Sequence, residues 1–244
     1  MKFCREICIP CYDTDAKGLL KPAAFMDLAQ EVAYWAASDL GFGYDSLHIH
    51  HTAWVLTRMH IHFGQPLRWR ENVTLYTWHK GANGLFYLRD FDVKDKDGNS
   101  RITATSSWVV IDERTRRIAR PEDIANLPVE PQCTEDAIAV PAPKLSVPGD
   151  ARSVPGMTGA EHTVSYSDLD INGHTNNARY VVWAMDCLPQ EVTAGSPVKD
   201  LYINFIKETV PGDNVQLYSM QEGSAWYVEG RVGDKTCFLV KMEF

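Results

Sequence analysis

Two passes of one pattern organise this chain of 244 residues, and that repetition constrains the fold more than any single motif. In the first pass, Phe3, Arg5, Ile7 and Ile9 alternate with Cys4, Glu6 and Cys8, which predicts a strand. A polar turn follows over 12–18. Next comes a helix with Pro22 in its first turn and Gly41 at its stop. Between them Phe25, Leu28, Ala29, Val32, Trp35, Ala36 and Leu40 recur at helical spacing, a wide apolar face that needs a sheet to cover it. Strands are predicted over 54–63, 73–80, 85–94 and 101–111, and the short turns between them favour antiparallel pairing. The second pass predicts a short strand over 162–166, a polar elbow and a helix over 176–188. Strands follow over 198–209, 215–221, 225–232 and 236–244. The predicted class is α+β.

Identities support a duplication. Asp15, Lys17, Gly18 and Leu19 align without gaps on Asp170, Asn172, Gly173 and His174, and Phe25 then falls on Tyr180. Further on, Ile61 and Phe63 align on Ile203 and Phe205, and Asn72, Val73, Leu75 and Tyr76 on Asn214, Val215, Leu217 and Tyr218. Two copies make a duplicated domain, not a solenoid. Between them, 120–159 is rich in Pro, Ala and Gly and reads as an extended connector. The expected division is 1–125, a linker over 126–158, and 159–244.

The copies serve as controls for each other. Lys17 stands where the second copy has Asn172, Leu19 where it has His174, and Pro66 where it has Glu208. Residues needed only for folding should recur in both copies. Their confinement to one points to a single chemical site per chain. Taken alone, an Asp/Asn/His run before a helix reads first as capping and turn chemistry, and Asn176 and Asn177 are read as caps.

Composition excludes several classes. A net charge of −8 disfavours nonspecific nucleic-acid binding, which depends on neutralising phosphates. No apolar run is long enough to span a membrane, and the first residues lack the apolar core of a signal peptide, so the expected compartment is the cytosol. Six cysteines are too few for a disulfide scaffold of this length, and Cys8 and Cys11 close a strand instead of opening a redox helix. His48, His50, His51, His60 and His62 lack the cysteine or carboxylate set of a zinc site. Nucleophile-elbow and P-loop patterns are absent.

The run 168–177, DLDINGHTNN, with Tyr180 and Trp183 after it, resembles the signature of the acyl-acyl carrier protein thioesterases. These plant and bacterial enzymes end fatty-acid synthesis by hydrolysing acyl carrier thioesters. The duplication, the connector and the segment from Asn204 to Glu208 extend the resemblance over nearly the whole chain. It implies a tandem double hotdog, in which each half is a long helix wrapped by an antiparallel sheet. Catalytic roles are implied for Asp170, Asn172, His174 and, on a strand after the second helix, Glu208. Plant members commonly carry Cys after that Glu; Thr209 stands here, which favours direct attack by water over a cysteine nucleophile.

The chemistry needs a base for water, donors for the carbonyl oxygen and a route for thiol release. Glu208 is the expected base, with His174 sharing proton transfer, Asn172 meeting the carbonyl or water, and Asp170 orienting its neighbours. Backbone N–H groups at the start of the second helix are candidate oxyanion donors. No cofactor or metal is called for. The implied partner is acyl carrier protein bearing an acyl-phosphopantetheine thioester, and a homodimer is left open. Phe25, Met26, Ala29 and Ala33 are expected to shape the acyl tunnel. Arg114, Arg116, Arg117 and Arg120 are candidates for docking the acidic carrier, solvated surface charge being the plainer reading. Rivals are an acyl-CoA thioesterase, a non-hydrolytic acyl-binding module and a hotdog hydratase; the hydratase motif is one residue longer and carries a Pro absent here.

Overall fold

In the computed structural model, residues 2–120, 124, 130–147 and 158–244 are described. The chain divides into two units, Met1–Ala142 and Pro143–Phe244. In the first, β1 (Phe3–Cys8) leads through a polar elbow into α1 (Pro22–Asp39) and a short α2 (Tyr44–Ile49). Then come β2 (Thr52–Phe63), β3 (Asn72–Asn83), β4 (Phe86–Asp95) and β5 (Ser100–Asp112). The strands pair antiparallel in the order β1-β3-β4-β5-β2.

Helix α1 begins with Pro22, whose missing N–H would be unpaired there in any case. It ends in a Schellman turn. Gly41 takes φ 79°, its N–H donates to the Ser38 carbonyl at 3.0 Å, and the Phe42 N–H donates to the Ala37 carbonyl at 3.1 Å. Its inward face carries Phe25, Met26, Ala29, Val32, Ala33 and Ala36, all buried. The small residues let the backbone approach the sheet closely. The sequence reading missed α2, whose six residues are too few to display a helical period.

The second unit repeats the plan: β6 (Thr158–Thr163), elbow, α3 (Asn177–Asp186), α4 (Gln190–Thr193), then β7 (Asp200–Phe205), β8 (Asn214–Glu222), β9 (Ala225–Val232) and β10 (Lys235–Glu243). Its strand order, β6-β8-β9-β10-β7, is the first unit's order element for element. Tyr180 and Trp183 on α3 pack on Phe238 of β10, with ring centroids 4.9 and 6.3 Å away. The duplication extends to side-chain packing. Phe25 meets Phe63 edge-on at 6.1 Å, and the aligned pair Tyr180 and Phe205 does the same at 5.7 Å. The fold is the α+β hotdog plan that the resemblance implied.

Part of the expected connector lies outside the described residues, including Pro121, Pro128, Pro148 and Pro155. The described part is bound to the units. The Glu135 carbonyl accepts from the Trp78 indole at 2.9 Å, and the Ala137 N–H donates to Asp90 at 2.8 Å. In the second unit, the buried Asn204 amide accepts from the Leu145 N–H at 2.7 Å and donates to the Pro143 carbonyl at 2.9 Å. No helix among the described residues is long and apolar enough to cross a membrane.

Candidate active site

The site is built on the elbow between β6 and α3. At its entry Asp168 is buried, and one carboxylate oxygen accepts from the Ser165 N–H (2.8 Å), the Ser165 hydroxyl (3.1 Å) and His162 Nε2 (2.9 Å). Burial alone would raise its pKa. The bonds from His162 and Ser165 outweigh it and hold the carboxyl below the usual carboxylate range. His162 is itself held against the Trp183 ring at 4.5 Å.

The tip is an Asp-centred turn. Asp170 Oδ1 accepts from the N–H of Asn172 at 2.8 Å and of His174 at 3.2 Å, while Oδ2 accepts from the Asn172 amide at 3.3 Å. The Asp170 N–H donates to the His174 carbonyl at 2.8 Å, and Gly173 at φ 73° closes the loop in a conformation that a side chain would disfavour. Asn176 then caps α3, its side chain accepting from the Ala178 N–H at 2.8 Å. That bond narrows one expectation. The Ala178 N–H belongs to Asn176 Oδ1 and the Arg179 N–H to the Asn176 carbonyl, so neither is open to an oxyanion.

The first unit makes the same turn. Asp15 accepts from the N–H of Lys17 at 2.8 Å and of Leu19 at 2.9 Å, its own N–H donates to the Leu19 carbonyl at 2.8 Å, and Gly18 has φ 71°. The backbone bonds of Asp170 are therefore those of a shape that both copies share. What differs is the cargo. The second elbow presents Asn172 and His174 where the first presents Lys17 and Leu19.

Glu208 reaches this elbow from the segment after β7. Its Oε2 lies 3.7 Å from His174 Nε2, too far for a direct hydrogen bond but within ion-pair range of a protonated imidazole. The side chains are 34% exposed for His174 and 42% for Glu208, so water and substrate can reach both. The strand expected over 198–209 ends at Phe205, and Glu208 sits in the following loop. The cause is local. The N–H groups of Ile206 (2.8 Å) and Lys207 (3.0 Å) both turn to the single carbonyl of Cys237, which stops the ladder.

Asp170, Asn172, His174 and Glu208 thus come together in the second unit. Phe25, Met26, Ala29 and Ala33 lie on the buried face of α1 in the first. Arg114, Arg116, Arg117 and Arg120 are exposed in and after the turn that follows β5. There Asp112 accepts from the N–H of Arg114 (3.0 Å) and Thr115 (2.7 Å), and Arg116 takes φ 57°. The sequence reading passed over Thr175 and gave Thr209 weight only as a departure from Cys. Thr209 is fully buried, and its carbonyl accepts the Thr175 N–H at 3.1 Å, which joins the Glu208 loop to the His174 elbow. The signal that could have found them is the alignment itself, which sets Leu20 and Leu67 opposite them.

Residues 1–127 match the family model for the acyl-ACP thioesterase N-terminal domain, and residues 154–233 match that for the C-terminal domain. An oleoyl-acyl carrier protein thioesterase of Arabidopsis thaliana is 28% identical over 80% of this chain and 56% of its own length. One from Coriandrum sativum is 25% identical over 91% of this chain and 63% of its own. The chain therefore spans a little over half the length of the curated relatives it matches. Among solved structures, an acyl-ACP thioesterase from Bacteroides thetaiotaomicron superposes with a TM-score of 0.86 at 25% identity, covering 99% of this chain and 96% of that one. The 12:0-ACP thioesterase of Umbellularia californica, at 22% identity and TM-score 0.84 over 99% and 96%, has the same fold.

Proposed function

The chain belongs to the acyl-ACP thioesterase family, and we propose that it hydrolyses the thioester of fatty acyl-acyl carrier protein, releasing a free fatty acid and a carrier thiol. The observation that carries this reading is the His174–Glu208 pair at 3.7 Å, present in one copy and replaced by Leu19 and Pro66 in its twin. In the proposed reaction Glu208 removes a proton from water as its oxygen attacks the carbonyl carbon. The Asn172 amide meets the carbonyl oxygen or the attacking water. As the tetrahedral intermediate collapses, the C–S bond breaks and the sulfur leaves as thiolate, which takes a proton relayed by His174. Asp170 acts through the turn, holding Asn172 and His174 at the tip.

The partner in this reading is acyl carrier protein, with acyl-CoA a weaker substrate, and the exposed arginines after β5 are its proposed docking point. Phe25, Met26, Ala29 and Ala33 are the proposed wall of the acyl site.

The test is thiol release from acyl carrier substrates of graded chain length. Glu208→Gln and His174→Ala should each lower kcat by about 10²–10⁴-fold. Charge reversal at Arg114 and Arg117 should raise KM for the carrier substrate and not for a small thioester, and Ala29→Phe should shift the preferred chain length. Tight acyl binding without thiol release would replace hydrolysis by a binding function, and near-normal turnover in Glu208→Gln would overturn the assigned base.

A further inference from the structure

A closed ring of hydroxyl groups surrounds Thr209, the residue that follows Glu208. The Thr209 N–H donates to the Tyr180 hydroxyl at 3.1 Å, and the Tyr180 and Thr209 hydroxyls are 3.1 Å apart. The Thr209 and Thr175 hydroxyls meet at 2.6 Å, and Thr175 Oγ1 donates to the Thr209 carbonyl at 3.1 Å. One direction of donation satisfies every member. The Thr209 N–H gives to Tyr180, Tyr180 gives to the Thr209 hydroxyl, that hydroxyl gives to Thr175, and Thr175 returns the chain to the Thr209 carbonyl. The three side chains are buried, where such bonds are strong and their loss is costly. Burial pushes the Tyr180 phenol above its usual range, against the opposing bonds from Thr209 and Thr175, so it stays a neutral donor through ordinary pH.

The first unit shows what this spot needs for folding alone. There the Leu20 N–H donates to the Leu67 carbonyl at 2.9 Å, the counterpart of the Thr175–Thr209 backbone bond. Around it the side chains are Leu20, Leu67 and Phe25, all buried and all apolar. An apolar peg is therefore enough to join elbow and loop. The hydroxyls occur only in the copy whose loop carries Glu208 and whose elbow carries His174.

We infer that Thr209, Thr175 and Tyr180 are positioning residues for the hydrolytic reaction, fixing the backbone of the Glu208 loop so that its carboxylate faces His174. This deepens the proposed function and rests on Glu208 and His174 being its acid–base pair. The ring grips Thr209 through its N–H, its carbonyl and its side chain together. The residue carrying the base is thus held from one peptide away at three points. Thr209 touches no reacting atom. Its side chain is fully buried between the Tyr180 and Thr175 hydroxyls, so it serves as an anchor and not as a nucleophile.

The experiment compares Thr209→Val, Thr209→Ser and Tyr180→Phe in the full chain. Far-UV circular dichroism would be recorded at the assay temperature, and kcat and KM measured separately on an acyl carrier substrate. Thr209→Val keeps the side-chain shape and Tyr180→Phe removes a single oxygen. Each should leave KM within about twofold while kcat falls about 10–100-fold, the scale of a small misplacement of a reacting group. Thr209→Ser, which restores the hydroxyl, should recover most of the loss. Unchanged kcat in both Thr209→Val and Tyr180→Phe, with Glu208→Gln inactive, would overturn the inference and leave the site intact. A loss matched by the unfolded fraction and not recovered by Ser would reduce the ring to a structural feature. Full activity in Glu208→Gln would remove the site reading and this inference with it.

Discussion

Gly230 on β9 faces Phe238 on β10, and a Cβ added at Gly230 would lie 1.9 Å from Phe238 Cε1 and 2.4 Å from Cζ. Ordinary contact begins near 3.4 Å, so the ring must retreat by roughly 1.5 Å. It has no easy direction. Phe238 is fully buried, and the Tyr180 ring stands 4.9 Å away. Overpacking of this kind costs about 1–3 kcal/mol, and the blocked retreat places Gly230→Ala toward the upper end. Phe238→Leu shortens the offending edge and should absorb part of the strain. The double variant should therefore be more stable than the sum of the singles by about 1–2 kcal/mol. Urea unfolding followed by circular dichroism gives all four stabilities. Because the displaced ring bears on Tyr180, which accepts the Thr209 N–H, folded Gly230→Ala should also turn over more slowly. A stability loss below about 0.5 kcal/mol, or strict additivity in the cycle, would refute the packing argument.

Asp168 supplies a pH dependence. Its carboxyl is held below the usual range in the folded chain, so its contribution is fully present above about pH 4 and is lost as pH falls through the lowered value. Asp168→Asn should lower stability at neutral pH by about 1–3 kcal/mol and flatten the acid limb of a Tm-against-pH curve; an unchanged acid limb would count against the His162 and Ser165 bonds as its cause. The twin turns separate shape from chemistry. Asp15→Ala and Asp170→Ala should lose similar amounts of stability in thermal melts, while only Asp170→Ala loses thiol release, and equal loss of activity in both would contradict a single working elbow.

The duplication is legible because a turn that needs Asp at its first position and Gly at its fourth leaves both in the chain, as at Asp15 and Gly18, then Asp170 and Gly173. The apolar face of α1 and the alternation of the strands are equally plain, since period alone reports them. Glu208 is misplaced onto a strand for a physical reason. The apolar residues Ile203 and Phe205 are followed by Ile206 with no turn signal, and only the capture of two N–H groups by the Cys237 carbonyl ends the ladder. That event depends on a residue in another strand. The hydroxyl ring is hidden in the same way. A threonine after a glutamate looks like any strand residue, and its meaning lies in contacts with α3 and the elbow. The cap that makes Asn176 recognisable also occupies the Ala178 N–H, which narrows the donors left to an oxyanion at the start of α3.

The bifurcated Cys237 carbonyl and the buried Thr209 also bracket the three exposed residues that carry the carboxylate, Ile206, Lys207 and Glu208. A loop tied at both ends within so short a span has little room for slow excursions of its backbone. The Thr209 amide, which donates to the buried Tyr180 hydroxyl, should be among the slowly exchanging hydrogens of the second unit. The motion left to Glu208 is rotation about its own side-chain bonds, on the picosecond-to-nanosecond scale of exposed rotamers. In the proposed reaction Glu208 then meets His174 by turning its side chain and not by an opening or closing of the fold.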